Sequence, residues 1–316
     1  MNPPDWRPSA TPAVLRRRAA LLADLRAFMD AAGLCEIDSA HIGRAAPSER
    51  ALDCLAVGQA GFLQPSPEHG LKRLLAAGMG PIYQLSHVFR AGEVGRWHNP
   101  EFSMLEWYRP GADLSTMIAE TETLIARIAG VACAPRLRYR AAFEACIGLD
   151  PWKASTRALA RAAIERGVAP VPPAGDEDRV YWLDLLMSLV VQPTLGHDGP
   201  VCVAGFPAAD AVLVEHDSDE PGAAARFECV WRGVELANGA QELLDASQAS
   251  TRMDREIAAR AAADRPAQPR DERLLAAMRA GLPACGGVAL GVDRLLALML
   301  ERDNVAEVMP FAWAQR

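Results

Sequence analysis

Three stretches of the chain put residues capable of chemistry close together. The first, FRAGEVGRWHNPEFSMLEWY at 89–108, sets Arg90, Glu93, His98, Asn99 and Glu106 among aromatic rings. A folding core does not need those charges, and a solvated loop does not need the rings. Read as two antiparallel strands joined by a loop, 82–109 alternates with period two, so Gln84, Ser86 and Arg90 share one face and Tyr83, Leu85 and Phe89 the other. On the second strand Phe102, Met104, Glu106 and Tyr108 share a face, opposite Ser103, Leu105 and Trp107. One face is then core, and the other gathers Arg90, Phe102, Glu106 and Tyr108. An ordinary half-solvated hairpin would show the same alternation.

The second stretch is RFECVWRGVELANGAQEL at 226–243. A two-residue turn at Arg232-Gly233 sets Val230 opposite Glu235 and leaves Glu228 diagonal to Glu235 on the same face. Phe227, Cys229, Trp231, Val234 and Leu236 occupy the other face. Neighbouring carboxylates repel unless a cation or a buried proton intervenes, and hard oxygen donors of this kind suit Mg²⁺ carried on nucleotide phosphates. Two solvated glutamates in a surface hairpin are the alternative; Asn238 and Glu242, which continue the polar series beside an apolar wall, favour a site. The third stretch, GGVALGVDRLL at 286–296, is a glycine-rich strand entering a helix. Such a strand can lie against a flat ligand, and Arg294 at the helix start is placed to stack on a base or grip a phosphate. It matches neither a dinucleotide fingerprint nor a P-loop.

The elements that must position these residues follow from periodicity. An amphipathic helix is predicted over 12–33, with Val14, Leu15, Leu21, Leu22, Leu25, Phe28 and Met29 on a broad apolar face and Gly33 as its stop. Weak strand signals occupy 45–65, and SPEHGLKRLLAAGMG reads as a turn feeding a helix that ends at Gly78 or Gly80. Strands are predicted at 82–90 and 101–109, a helix at 113–129, helix then loop across 150–180, a helix at 181–191 and a strand near 201–206. A hairpin spans 226–238, one Ala/Arg-rich helical region 246–281, and the glycine-rich strand and its helix close the chain. Antiparallel pairs interleaved with helices, without a βαβ rhythm, argue an α+β fold rather than a doubly wound sheet. No linker or internal repeat divides the chain, so 1–316 reads as a single domain.

Composition narrows the classes. Half of the 316 residues are hydrophobic, enough for a large core, and no apolar run is long enough to span a membrane. The seven cysteines (35, 54, 133, 146, 202, 229 and 285) include no CxxC pair; they read as reduced thiols of a cytoplasmic protein. A net charge of −7 argues against a long nucleic-acid partner, which asks for a basic surface.

Arg90, the RWHNPEF run and GVALGVDR resemble motifs 2 and 3 of a class II aminoacyl-tRNA synthetase catalytic domain. SPEHGLKRLL, HNPEFSMLEWY and ELANGAQEL are similar to the lysine-specific branch, and the resemblance covers nearly the whole chain. The lysyl synthetases carry an anticodon-binding barrel ahead of this core, whereas here the core begins almost at once with WRPSATPAVLRRRAALLADL. In that respect the chain resembles the lysyl-tRNA synthetase paralogues that attach (R)-β-lysine to elongation factor P.

The resemblance implies an antiparallel sheet flanked by helices, and roles residue by residue. Arg90 matches the motif 2 arginine on the α-phosphate and substrate carboxylate. Phe102 and Arg294 match the pair that sandwiches adenine, with His98 and Asn99 in the loop that contacts the nucleotide; Glu235, Leu236 and Gly291 complete the ATP positions. Glu228 and Glu235 match the Mg²⁺ carboxylates. Ser66 and Glu68 match the groups reading the amine near the α-carbon, Tyr108 and Glu242 the pair at the distal ammonium, and Asn238 lies near the carboxylate. Ala289 stands where the synthetases have a glycine that leaves room for an α-amine; one methyl group tilts selection by roughly 1–3 kcal/mol. The family reads Arg-Asn-Glu at the start of motif 2, whereas this chain reads Arg90-Ala91-Gly92 with Glu93 one place later, so either Glu93 reaches the usual spot through a glycine-loosened loop or ATP binds more weakly.

The implied activity is ATP-dependent activation of (R)-β-lysine or lysine as the adenylate and its transfer to a lysine ε-amine of elongation factor P, by a homodimer. Two alternatives stand beside it: a short lysyl-tRNA synthetase charging tRNA, against which the missing barrel and the acidity count, and a non-catalytic paralogue that binds an amino acid or nucleotide.

Overall fold

The computed structural model describes residues 6–50, 52–168 and 179–313. Contacts divide the chain into two compact units, Met1–Asp113 with Glu242–Arg316, and Leu114–Gln241.

The first unit opens with α1 (Pro12–Ala31), where Thr11 accepts from the Val14 amide and a proline fills the first turn. The helix stops two residues short of the expected end, and Gly33 takes the left-handed conformation at φ 77°. The weak strand signals resolve into a three-stranded sheet, β2 (Ile42–Gly43), β4 (Gly61–Leu63) and β3 (Ala56–Val57), preceded by the two-residue β1 (Cys35–Glu36). After α2 (Glu68–Ala76), β5 (Ile82–Phe89) and β6 (Glu101–Pro110) pair antiparallel, with Gln84 opposite Glu106 and Tyr83 opposite Trp107. This is the alternation read from the sequence, except that both faces are buried: Tyr83, Leu105 and Trp107 on one, and Gln84, Glu106 and Tyr108 on the other.

The second unit contains α3 (Leu114–Ala129), β7 (Leu137–Arg138), α4 (Tyr139–Ile147), α5 (Thr156–Glu165), α6 (Arg179–Leu186), β8 (Val201–Ala204), β9 (Arg226–Trp231) and β10 (Val234–Gln241). The sequence reading passed over α4; the loop expected beyond Val168 lies outside the described residues. Tyr139 centres the apolar core, 5.7 Å from the Phe143 ring and 5.1 Å from Phe206.

The chain returns to the first unit with α7 (Ala246–Ala262), α8 (Glu272–Gly281), β11 (Cys285–Gly291) and α9 (Val292–Met299). The helical region expected over 246–281 is thus two helices. Pro266 and Pro269 lack the amide a continuous helix requires, and Asp271 starts α8 afresh by accepting from the Arg273 and Leu274 amides. β11 lies antiparallel to β6, so the strand order within this unit is β1-β5-β6-β11. Arg18 of α1 ties the layers together: it donates to Asp293 of α9 at 2.5 Å and to Ser103 of β6 at 2.7 Å, while Asp293 accepts the Ser103 amide. Among the described residues no helix is long and apolar enough to cross a membrane.

Asp271 also lies 3.1 Å from Nδ1 of the buried His69 on α2. Burial alone would raise its carboxyl, but His69 and the α8 amides hold it down at about 2. Its folded value therefore lies below the unfolded one, so its stabilisation is complete above the ordinary aspartate range and is lost as pH falls through about 2. Asp271→Ala is expected to destabilise the protein by about 2 kcal/mol at neutral pH, counting both the cap and the His69 contact, and by much less near that acid limit. Denaturant titration at the two pH values measures it.

Candidate active site

A buried polar cluster forms in the first unit where α2, β6, β11 and the residue after β10 meet. α2 begins at Glu68, whose backbone amide donates to Ser66 Oγ at 3.0 Å. Ser66 in turn donates to Glu106 Oε2 at 2.6 Å, and the Tyr108 hydroxyl donates to Glu106 Oε1 at 2.7 Å. One turn into α2, Lys72 is 1 % exposed and its ammonium lies 2.6 Å from Glu68 Oε1 and 2.5 Å from Glu242 Oε2. Glu242 is positioned by its amide, which donates to the Cys285 carbonyl of β11.

Two carboxylates thus share one internal ammonium, and the third, Glu106, is held beside them by Ser66 and Tyr108. Burial first, and then the Glu68 charge, push Glu106 up to about 7 against the hydrogen bonds of Ser66 and Tyr108. Burial likewise pushes Glu242 up to about 7, with Glu68 adding and Lys72 opposing. Burial would raise Glu68 too, but the charges of Lys72 and His69 outweigh it and hold Glu68 below the usual range. Burial works against the Lys72 ammonium, yet Glu242 and Glu68 together raise its pKa above the ordinary lysine value. Tyr108 is raised by burial and by the surrounding carboxylates, so its hydroxyl stays protonated and can donate.

β11 forms the floor. Gly287 pairs with Tyr108, Ala289 with Glu106 and Gly291 with Met104, so the three small residues share the pocket face. A Cβ at Gly287 would lie 2.5 Å from Glu242 Oε1 and would also collide with the Tyr108 ring. Glycine is required here by space.

The end of β5 carries the second group. Arg90 lies over the Phe102 ring, 5.2 Å from its centroid, with its Nε 3.4 Å from the Pro65 carbonyl. Gly92 turns at φ 77° and brings the Glu93 carboxylate to 3.7 Å from Arg90. In the same loop the His98 Nε2 lies 2.9 Å from Arg294, which also donates to the Trp97 carbonyl. The Asn99 amide works within the fold: it donates to the Glu101 carbonyl and accepts from the Trp313 amide.

In the second unit the β9–β10 hairpin has the expected start, Trp231 opposite Val234 and Val230 opposite Glu235. A bulge at Leu236 then shifts the register, so Glu228 faces Asn238 rather than Ala237. Glu228 and Glu235 keep a common face because Val230 lies between them in the alternation. Arg226 donates to Glu228 Oε1 at 2.5 Å and to Asn238 Oδ1 at 3.2 Å. Leu236 is buried. Mg²⁺ keeps several waters and needs only one or two carboxylates; this hard-oxygen pair on one strand face fits it.

The sequence matches the class II tRNA synthetases described as the D, K and N group, over residues 4–315. The chain belongs to this family. Its antiparallel strands with helices are the catalytic fold of class II synthetases, as the motifs implied. It is 41 % identical to the elongation factor P–(R)-β-lysine ligase of Sodalis glossinidius, over 97 % of both chains. The ligases of the same name from Edwardsiella ictaluri and Pectobacterium carotovorum are 41 % and 40 % identical, again over 97 % of both chains.

Against that family background, the cluster in the first unit contains groups the sequence reading gave no role, Lys72, Glu106 and Gly287; in the second unit the hairpin adds Arg226. Glu106 was already on the right strand face. Lys72 follows Glu68 by four residues, a spacing that on its own describes an exposed helix pair.

Proposed function

We propose that the protein activates (R)-β-lysine with ATP and transfers it to a lysine ε-amine of elongation factor P. The observation that carries this reading is the cluster of buried Glu106 and Glu242 with half-buried Glu68, because carboxylates removed from water ask for cationic partners. Full-length similarity to ligases of that name supports the same substrate and acceptor. In the first step the amino-acid carboxylate attacks the α-phosphorus of ATP, forming the mixed anhydride and expelling pyrophosphate. In the second the neutral amine of the acceptor lysine attacks the anhydride carbonyl, an amide forms, AMP leaves with the bonding pair, and the amine gives up its proton.

In this reading Arg90 offsets charge on the α-phosphate, where a planar two-pronged donor is worth most in the transition state. Phe102 and Arg294 sandwich the adenine, with His98 positioned by Arg294 and Gly291 at the strand end. Ser66, Glu68, Tyr108 and Glu242 hold the two ammonium groups, and the Ala289 methyl, on the same face, disfavours an α-amine. Glu228 and Glu235 are the residues that would hold Mg²⁺, which supplies charge neutralisation to phosphate oxygens when bound. Asn238 lies on the same hairpin, and a homodimer is part of the proposal.

Glu93 takes the part of the usual motif 2 glutamate, reaching Arg90 through the turn at Gly92. Glu93→Ala is expected to raise the ATP Michaelis constant about tenfold while leaving that for the amino acid near wild type; an unchanged ATP constant rules the role out.

The test of the activity is pyrophosphate exchange with ATP, Mg²⁺ and (R)-β-lysine or lysine, followed by mass spectrometry of elongation factor P. Exchange and a β-lysyl adduct on its lysine are expected. Absence of exchange with every amino acid supports a non-catalytic binding protein instead, and transfer to tRNA alone supports the synthetase alternative.

A further inference from the structure

Lys72 is anomalous for its position on α2. A Glu–Lys pair four apart on an exposed helix contributes only a few tenths of a kcal/mol, but this lysine is 1 % exposed and its ammonium is shared between Glu68 and Glu242. An apolar side chain of similar length would fill the same volume, and buried ion pairs are often no more stabilising than such a replacement. The charge therefore calls for an account in terms of the ligand.

We propose, resting on the amino-acid-activating reading above, that Lys72 is the pocket's resident counter-ion: a positioning residue that holds Glu68 and Glu242 in place and sets at two the positive charges an amino acid must bring. Glu68, Glu106 and Glu242 contribute three negative charges when ionised, and Lys72 cancels one. A diammonium amino acid matches what remains. A monoammonium one leaves a carboxylate desolvated and unmatched, which excludes it more effectively than shape does. Lys72 also keeps Glu68 ionised in the empty pocket, so the side chain is ready for an ammonium without first losing a proton.

The pH dependence follows from the groups around the pocket. Glu106 and Glu242, both pushed up to about 7, bind protons in the empty site and must release them to receive ammonium groups. Facing them are Lys72 and Glu68 from α2, Tyr108 from β6 and Cys285 from β11, while His69 acts on Glu68, and Glu49, pushed up by burial and by Glu68, feels the Lys72 charge from the segment ahead of α2. Of these only Lys72 is a cation in contact with two of the three carboxylates. Affinity for the amino acid is expected to fall as pH drops below about 7, and removing Lys72 moves that midpoint upward because the positive charge that holds Glu242 down is gone.

The experiment is pyrophosphate exchange with (R)-β-lysine and with lysine across neutral pH for wild type, Lys72→Met and Lys72→Arg. Lys72→Met is expected to raise the amino-acid KM at least about tenfold and to move its pH midpoint up by about one unit, with the ATP KM within about twofold. Lys72→Arg keeps the charge at altered geometry, so its midpoint stays at the wild-type value while the KM rises by about fivefold or less. A Lys72→Met enzyme with wild-type midpoint and amino-acid KM overturns the proposal, and so does a displaced midpoint in Lys72→Arg, which decides the matter alone if the methionine variant does not fold. Exchange in the wild type with indifference to Lys72 sinks this inference only; no exchange in the wild type sinks the activity itself.

Discussion

Glu242→Ala is expected to lower kcat/KM for the amino acid by about a thousandfold while leaving ATP binding within about twofold of wild type. The size follows from the environment. Glu242 is 5 % exposed and 2.5 Å from the Lys72 ammonium, and removing one partner of a buried, hydrogen-bonded charge pair costs about 3–5 kcal/mol. Truncation removes the acceptor proposed for the substrate's distal ammonium and leaves Lys72 leaning on Glu68 alone, whose carboxylate is partly open to solvent. Nucleotide contacts proposed for Arg90, Phe102 and Arg294 do not pass through Glu242, so the loss should appear in the amino-acid terms. Measuring pyrophosphate exchange against amino-acid and ATP concentrations separates the two. Unchanged adenylation kinetics refute the pocket assignment, whereas equal losses for both substrates indicate general damage.

The same group carries a pH signature in stability. Glu242 and Glu106 have folded values near 7, above those of an unfolded chain, so they favour the ligand-free fold at low pH and that advantage disappears as pH rises through about 7. An amino acid that brings two ammonium groups compensates the ionised carboxylates. Its thermal stabilisation of the protein should therefore be larger above that midpoint than below it.

How much of this site was legible in the sequence depends on how local each determinant is. Alternation over 82–109 gave the β5–β6 faces correctly, because period-two geometry needs only the strand itself. Arg232-Gly233 likewise announced the hairpin, but alternation has no term for the bulge at Leu236, which puts Asn238 rather than Ala237 opposite Glu228. The break between α7 and α8 was written in Pro266 and Pro269; alanine and arginine periodicity on both sides obscured it. Lys72 was out of reach for another reason. Its burial is set by Glu242, some 170 residues away in the chain, and by strands that close over α2 only in the folded unit. The motifs identified the family, but they could not count the charges in the pocket.

Gly287→Ala is expected to cost at least about a hundredfold in kcat/KM for the amino acid, with the ATP KM near wild type. Gly287 sits in the middle of β11 opposite Tyr108, and its φ lies outside the left-handed region reserved for glycine, so the backbone accepts alanine and only space opposes it. The added Cβ would fall 2.6 Å from Tyr108 Cδ1 and 2.5 Å from Glu242 Oε1. Neither neighbour yields easily. The Tyr108 ring is buried, with its hydroxyl bonded to Glu106, and Glu242 is paired with Lys72. Relief must come from tilting the ring off Glu106 or driving Glu242 off Lys72, and either movement dismantles the ammonium pocket. Overpacking of this kind costs about 1–3 kcal/mol of stability, which a folded two-unit protein of this size should survive. Reduced stability with a wild-type amino-acid KM in Gly287→Ala would mean that the amino acid binds away from Tyr108 and Glu242, since no substrate held between those two side chains could ignore a carbon placed against both.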